Sequence, residues 1–140
     1  MTKKQIIRFI KKVAGKTGYC SIFYYYNKKE SSYFARADVI KRKIEINRYF
    51  LKAFKEETIR AMLMHEIGHL KTRPLLGLKP HSWVEYEAQM WAISRARELG
   101  FKRIERRLLR VFSEWKEYEN NKKFRCYYLA FKMAERNGVI

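Results

Sequence analysis

The sequence predicts a small α+β domain of about three strands followed by helices. Three observations predict it. Between residues 20 and 47, aromatic and β-branched residues fall in short runs broken by turn-forming residues. From residue 49 onward, apolar residues recur every three or four positions. A length of 140 residues allows one domain with a real core, spanning 1–140, but not two.

The elements follow in order. Residues 4–14 place Ile6, Ile7, Phe9, Ile10 and Val13 at helical spacing among lysines, and Gly15 and Gly18 end that helix. Cys20 to Tyr26 reads as a strand, and Asn27 to Ser32 as a turn. Tyr33 to Asp38 and Lys43 to Asn47 read as two more strands. The second alternates apolar and charged residues, as expected of a half-buried edge strand. From Tyr49 the chain turns helical through Phe50, Leu51 and Phe54, and Pro74 is the last point the next helix can reach. Thr72 to Ser82 is a loop containing Pro74, Gly77 and Pro80. A helix beginning at Trp83 or Val84 runs to Leu99, where Gly100 stops it. Phe101 to Tyr118 is a basic amphipathic helix, Asn120-Asn121 breaks it, and Phe124 to Asn137 is a last helix closed by Gly138.

Within this frame lies His65-Glu66-Ile67-Gly68-His69. Residues four apart on a helix share a face, so two imidazoles can close on one Zn²⁺. Glu66 sits one position round, placed to take a proton from an activated water without ligating the ion. Thr58 to Met64 leads into the motif without Gly or Pro, and Ile59, Met62, Leu63, Ile67 and Leu70 recur at helical spacing. Gly68 weakens a helix by roughly 1 kcal/mol against Ala, but a residue without a side chain lets another element approach closely.

A catalytic zinc site needs a third protein ligand. The next helix supplies His81, Glu85 and Glu87 as candidates. Periodicity does not choose, because Val84, Ala88, Trp91, Ala92 and Leu99 put both carboxylates at the border of one apolar face.

The formal charge is +18. Such a balance attracts anionic partners, nucleic acid or another polyanion, unless it is simply a solvated surface. Dense basic stretches lie at 41–43, 102–110 and 122–125. The scarcity of Asp, Asn and Gln beside abundant Lys, Arg, Glu and Ile hints at a thermophilic source. Cys20 and Cys126 show no metal or redox spacing and read as small apolar residues. No apolar run is long enough to span a membrane. The start carries no uninterrupted apolar stretch of the secretory kind, so a cytoplasmic location is expected.

The order of strands, His-Glu-Ile-Gly-His helix, loop and Glu85-Tyr86-Glu87-Ala88-Gln89-Met90-Trp91-Ala92 resembles the gluzincin metallopeptidases. It is similar to the minimal archaeal minigluzincins and to the ImmA/IrrE type over roughly residues 20–97. The resemblance implies a zincin-like fold and a zinc-dependent endopeptidase acting on polypeptides. It implies Glu66 as general base, with His65, His69 and Glu87 as metal ligands. Glu87-Ala88 and Trp91-Ala92 carry the choice of Glu87. Thermolysin-like gluzincins have an Asp four residues after the ligand Glu, and Trp91 stands there if Glu87 is the ligand. Were His81 the ligand, the chain would look more like the SprT group of DNA-associated proteases.

His81 and Tyr86 are the expected oxyanion donors, and the substrate is expected to lie along the Lys43–Asn47 edge strand. Small gluzincins can be latent zymogens. The helices of 101–138 are thus candidates to cover the zinc through Lys122, Lys123 or the Val139-Ile140 end. A basic nucleic-acid-binding protein with a non-catalytic zinc site is the rival reading.

Overall fold

A computed structural model describes residues 1–15, the backbone of 22–26, and residues 33–72 and 79–140. The described chain is α+β and mostly helical. Helix α1 (Lys3–Ala14) opens with a capping box. The Thr2 hydroxyl accepts from the Gln5 N–H, and the Gln5 side chain accepts from the Thr2 N–H. Ile6, Phe9, Ile10 and Val13 make its buried face, and Gly15 ends it at φ 77°, a conformation that suits glycine.

The strands are β1 (Ile22–Tyr26), β2 (Ala35–Asp38) and β3 (Lys43–Asn47). Strand β3 pairs in parallel with β1 and antiparallel with β2. It therefore lies between them, and the expectation that Lys43–Asn47 is an edge strand is corrected. Its alternation is real: Ile44 and Ile46 are fully buried. Glu45 turns outward between Arg36 and Lys43 and is ion-paired to both. A middle strand with one solvated face produces the same pattern as an edge strand.

A 3-10 turn (Arg48–Phe50) leads toward α2 (Glu56–Thr72), which carries the His-Glu-Ile-Gly-His motif. Helix α3 (His81–Glu98) begins two residues earlier than Trp83, because Pro80 sits at its N-cap and presets the entry. Helix α4 (Lys102–Glu114) continues as a 3-10 turn (Trp115–Tyr118), and α5 (Arg125–Arg136) follows. Gly100 and Gly138 end α3 and α5 at positive φ. The strand expected from Cys20 begins at Ile22 among the described residues. Cys20 itself, the turn at 27–32 and most of the loop before α3 lie outside them.

The core is one cluster in which α2 is central. Helix α1 covers one side of it, with Phe9 stacked on Phe101 and the Arg95 Nε–H donating to the Val13 carbonyl. Helix α3 covers another side through a stripe of small residues: Ala88, Ala92 and Ala96 are fully buried. Helix α5 packs on α3 with Ala130 and Ala134, also fully buried. Short side chains let these helix axes come close. One close approach is at Gly68. A Cβ there would drive into the backbone of Ala88, well inside van der Waals contact with its carbonyl oxygen.

Cys126 is half-buried with a free thiol, and burial raises its pKa, so it is less enclosed than a small apolar core residue. Among the described residues, no helix is long and apolar enough to cross a membrane.

The crossing sets a test. Gly68→Ala is expected to destabilise the fold by about 1–3 kcal/mol, the usual penalty for overpacking against atoms that cannot move aside. Ser113→Ala on α4, whose hydroxyl bonds the Leu109 carbonyl of its own helix, should stay within about 0.5 kcal/mol of wild type. Urea unfolding of the two variants measures both.

Candidate metal centre

Three side-chain atoms converge where α2 crosses α3. His65 Nε2 lies 3.0 Å from Glu85 Oε2. His69 Nε2 lies 3.3 Å from the same oxygen and 3.1 Å from His65 Nε2. Ligands about 2.0–2.1 Å from a tetrahedral ion stand about 3.3–3.4 Å from one another. The triangle therefore has nearly the size of one face of a zinc tetrahedron, and it leaves the fourth corner free. His65, His69 and Glu85 form the group among the described residues that can hold a metal ion.

The helices explain why these atoms meet. The two histidines are four apart on α2, one turn along the same face. Glu85 lies one turn before Ala88 on α3, so the close backbone contact at Gly68 draws the first turns of α3 onto that face. Glu85 is 6 % exposed, unusual for a carboxylate without a partner and ordinary for a ligand.

The carboxylate brought to the histidines is thus Glu85, not Glu87. Two residues on a helix turn the side chain by about 200°, and Glu87 points elsewhere. Its Oε1 accepts from Lys79 Nζ at 2.9 Å and from the Trp83 indole N–H at 2.7 Å. His81 is exposed at the start of α3 and does not join the group. Tyr86 faces α5: its hydroxyl accepts from Asn137 Nδ2 at 2.9 Å, and its ring packs toward Phe112.

Gln89 was not singled out by sequence reasoning, yet it orders the site. Its Oε1 lies 2.8 Å from His65 Nδ1, and its Nε2 donates to the Leu108 carbonyl at 2.8 Å. Since the amide NH₂ is committed to a carbonyl, Oε1 must be the atom facing the imidazole. His65 then carries its proton on Nδ1 and offers the Nε2 lone pair to a metal. The available signal was the run Glu85, Ala88, Gln89, Ala92, Ala96, small and polar residues at spacings of three and four.

Glu66 lies close enough to His65, His69 and Glu85 to feel their charge, and it also reaches the sheet. Its Oε2 accepts the Ala37 N–H of β2 at 2.8 Å. Burial raises its pKa, against the opposing pull of His69 and His65. Burial disfavours a charged His65, but hydrogen bonding and the charge of Glu85 outweigh this and lift His65 to about 9. Burial likewise opposes a charged Glu85, and the two imidazoles overcome it, holding the carboxylate far below its usual range. Without a metal, a proton on His65 neutralises the buried carboxylate.

A cavity of about 350 Å³ opens beside His65 and Glu66. The chain beyond Gly100 forms much of its wall, through Leu108, Val111, Trp115, Tyr118, Phe124 and Tyr127. Trp115 meets His65 edge-on at 5.8 Å, and Tyr127 packs on Trp115 at 4.8 Å. The Tyr127 hydroxyl has no hydrogen-bond partner among the described residues, and burial together with Glu85 and Glu66 keeps it protonated. Lys122 and Lys123 are exposed, and Val139 packs on the core. It is this aromatic group that borders the site. Truncation after Asn120 would strip α5 from the buried face of α3, so it tests folding rather than latency. Comparison with known proteins finds no matching family model, no similar curated protein and no similar solved structure.

Two outcomes follow for purified protein. Glu85→Ala should lose zinc in a metal assay while Glu87→Ala keeps about one ion per chain. In the metal-free protein, His65 holds its proton up to about pH 9, and a metal must displace it. Apparent zinc affinity should therefore rise about tenfold per pH unit from pH 7 toward 9 and then level off. A flat profile by competition with a chromogenic chelator would contradict the protonated His65–Glu85 pair.

Proposed function

We propose that this chain is a zinc-dependent metallopeptidase of gluzincin type. The observation that carries the reading is the convergence of His65, His69 and Glu85 on one point, with Glu66 half-buried beside them. A purely structural site has no use for that extra carboxylate. The donor set, two imidazoles and one carboxylate around a free corner, is that of a hydrolytic zinc. When bound, the ion would supply Lewis acidity, making water more acidic and polarising a carbonyl.

The rest is done by the chain's own residues. Glu66 takes a proton from the attacking water and delivers it to the departing amine. Burial raises its pKa toward the range where both transfers are effective, and the Ala37 N–H holds its far oxygen in place. Tyr127 lines the cavity, and its hydroxyl would donate to the substrate carbonyl oxygen as negative charge builds there. It takes the role expected of His81 or Tyr86. Gln89 keeps His65 in the ligating tautomer.

The substrate strand shifts with the corrected topology. Both sides of β3 are paired, so an extended peptide cannot add there. Strand β2 pairs with β3 on one side, and the Ala37 N–H points away from β3 toward Glu66. Ala35, two residues earlier, aims its peptide group the same way and lines the cavity. An extended polypeptide added along β2 would pass directly over Glu66. The SprT-like alternative rested on His81 as ligand and loses that support.

Glu66→Gln should keep its metal and fold while hydrolysis of a fluorogenic peptide mixture falls by about 10²–10⁴-fold. Undiminished turnover would rule out Glu66 as the base. Tyr127→Phe should lower kcat by about 10²–10³-fold with little change in KM. A variant with normal kcat would remove Tyr127 from the chemistry.

A further inference from the structure

Helix α4 has two faces with different tasks. Ile104, Leu108 and Phe112 are buried, and Leu108 helps wall the metal-site cavity. The opposite face carries Arg103, Arg106, Arg107 and Arg110. These arginines line a surface depression together with Glu57. A second depression shares Arg103 and Glu57 with it and adds Lys55, Arg60 and Lys102. Together they form one groove along α4 and the start of α2, in which seven basic side chains meet the carboxylates of Glu56 and Glu57.

We propose that this groove binds the phosphate backbone of double-stranded nucleic acid. Three features separate it from an ordinary solvated surface. The first is composition. Lysine outnumbers arginine in the chain by 18 to 14, yet five of the seven cations here are arginine. A guanidinium presents a planar fork to phosphate, whereas an ammonium serves mainly as a point charge. The second is the backbone. The first turns of both α2 and α4 line the groove, and α4 has no side-chain cap on its free N–H groups. Helix starts carry partial positive charge and favour anions.

The third is availability. Arg103 reaches Glu57 at 3.4 Å, and Arg110 and Arg107 reach Glu114 at 3.5 and 3.7 Å. The side chains of Arg103 and Arg110 remain 83 % and 74 % exposed. Pairs this long and this wet contribute about 0–1 kcal/mol, so a phosphate can replace the carboxylate. Arg106 is exposed and has no ion pair among the described residues. From Arg103 to Arg110 the helix rises about 10 Å, enough for a row of about two or three phosphate contacts.

The test is fluorescence anisotropy of the full chain with a labelled DNA duplex of about two turns, and with an RNA duplex of the same length. Salt is varied from about 50 to 200 mM. Three proteins are compared: wild type, R103Q/R106Q/R110Q, and K4Q/R8Q/K11Q. The last removes the same charge from the exposed side of α1. Circular dichroism confirms that each variant is folded. Wild type should bind with steep salt dependence, and the α4 triple should lower the slope of log K against log salt by about 2–3. The α1 triple should change the slope by less than about 1. Preference between the duplexes identifies DNA or RNA as the source of the phosphates. Equal losses in the two triples, no duplex binding by wild type, or α4-dependent binding to phosphatidylserine vesicles that duplex does not compete would each overturn the proposal. Peptidase activity plays no part in the readout, so this inference and the metallopeptidase reading fail independently.

Discussion

The structure depends on the close passage of α3 over α2 at Gly68. Backbone meets backbone there, because a side chain would occupy the space of the Ala88 carbonyl. That contact sets the depth at which α3 lies, and Glu85, one turn earlier, inherits it. A helix displaced outward by a methyl group would move Glu85 Oε2 from its 3.0 Å and 3.3 Å separations from the two imidazoles. The group that can hold a metal ion would be pulled apart. The roughly 1 kcal/mol that glycine costs a helix is offset by a packing geometry no other residue permits.

The same crossing makes an electrostatic demand. Glu85 is buried on the core side, and a buried carboxylate needs a counter-charge. The motif histidines provide it, and His65 stays protonated to about pH 9 for this reason. Gln89 completes the arrangement from the next turn of α3 and passes its other bond to the Leu108 carbonyl of α4. Three helices are thereby tied together through one imidazole. The part of the chain beyond Gly100, which carries no motif, supports the site in this way and supplies the aromatic wall of its cavity.

The motif itself was legible because its geometry is local. Two histidines four apart on a helix share a face whatever the rest of the fold does. Helices α1, α4 and α5 were legible for the same reason: their apolar residues repeat along one stripe. Which carboxylate joins the two histidines was not. Glu85 and Glu87 flank the same apolar positions, and which one faces α2 depends on how α3 is rotated against its neighbours. The Glu87-Ala88 resemblance pointed to the other carboxylate, whereas the small residues at 88, 92 and 96 mark the side that packs closely on the histidine helix. Strand order was hidden in a similar way. Alternation in Lys43–Asn47 reports one buried face and cannot say whether the strand has one neighbour or two.

Helix α4 shows how a short chain combines a buried polar site with a high charge. Its inner residues are constrained by the cavity and by the Leu108 carbonyl bond, which leaves only the outer face free to vary. Its preference for guanidinium over ammonium and the two helix starts in one groove are what the proposed phosphate site rests on. The groove and the candidate metal centre lie on opposite sides of a single helix. A polyanion held on one side would therefore leave the cavity on the other open to a polypeptide.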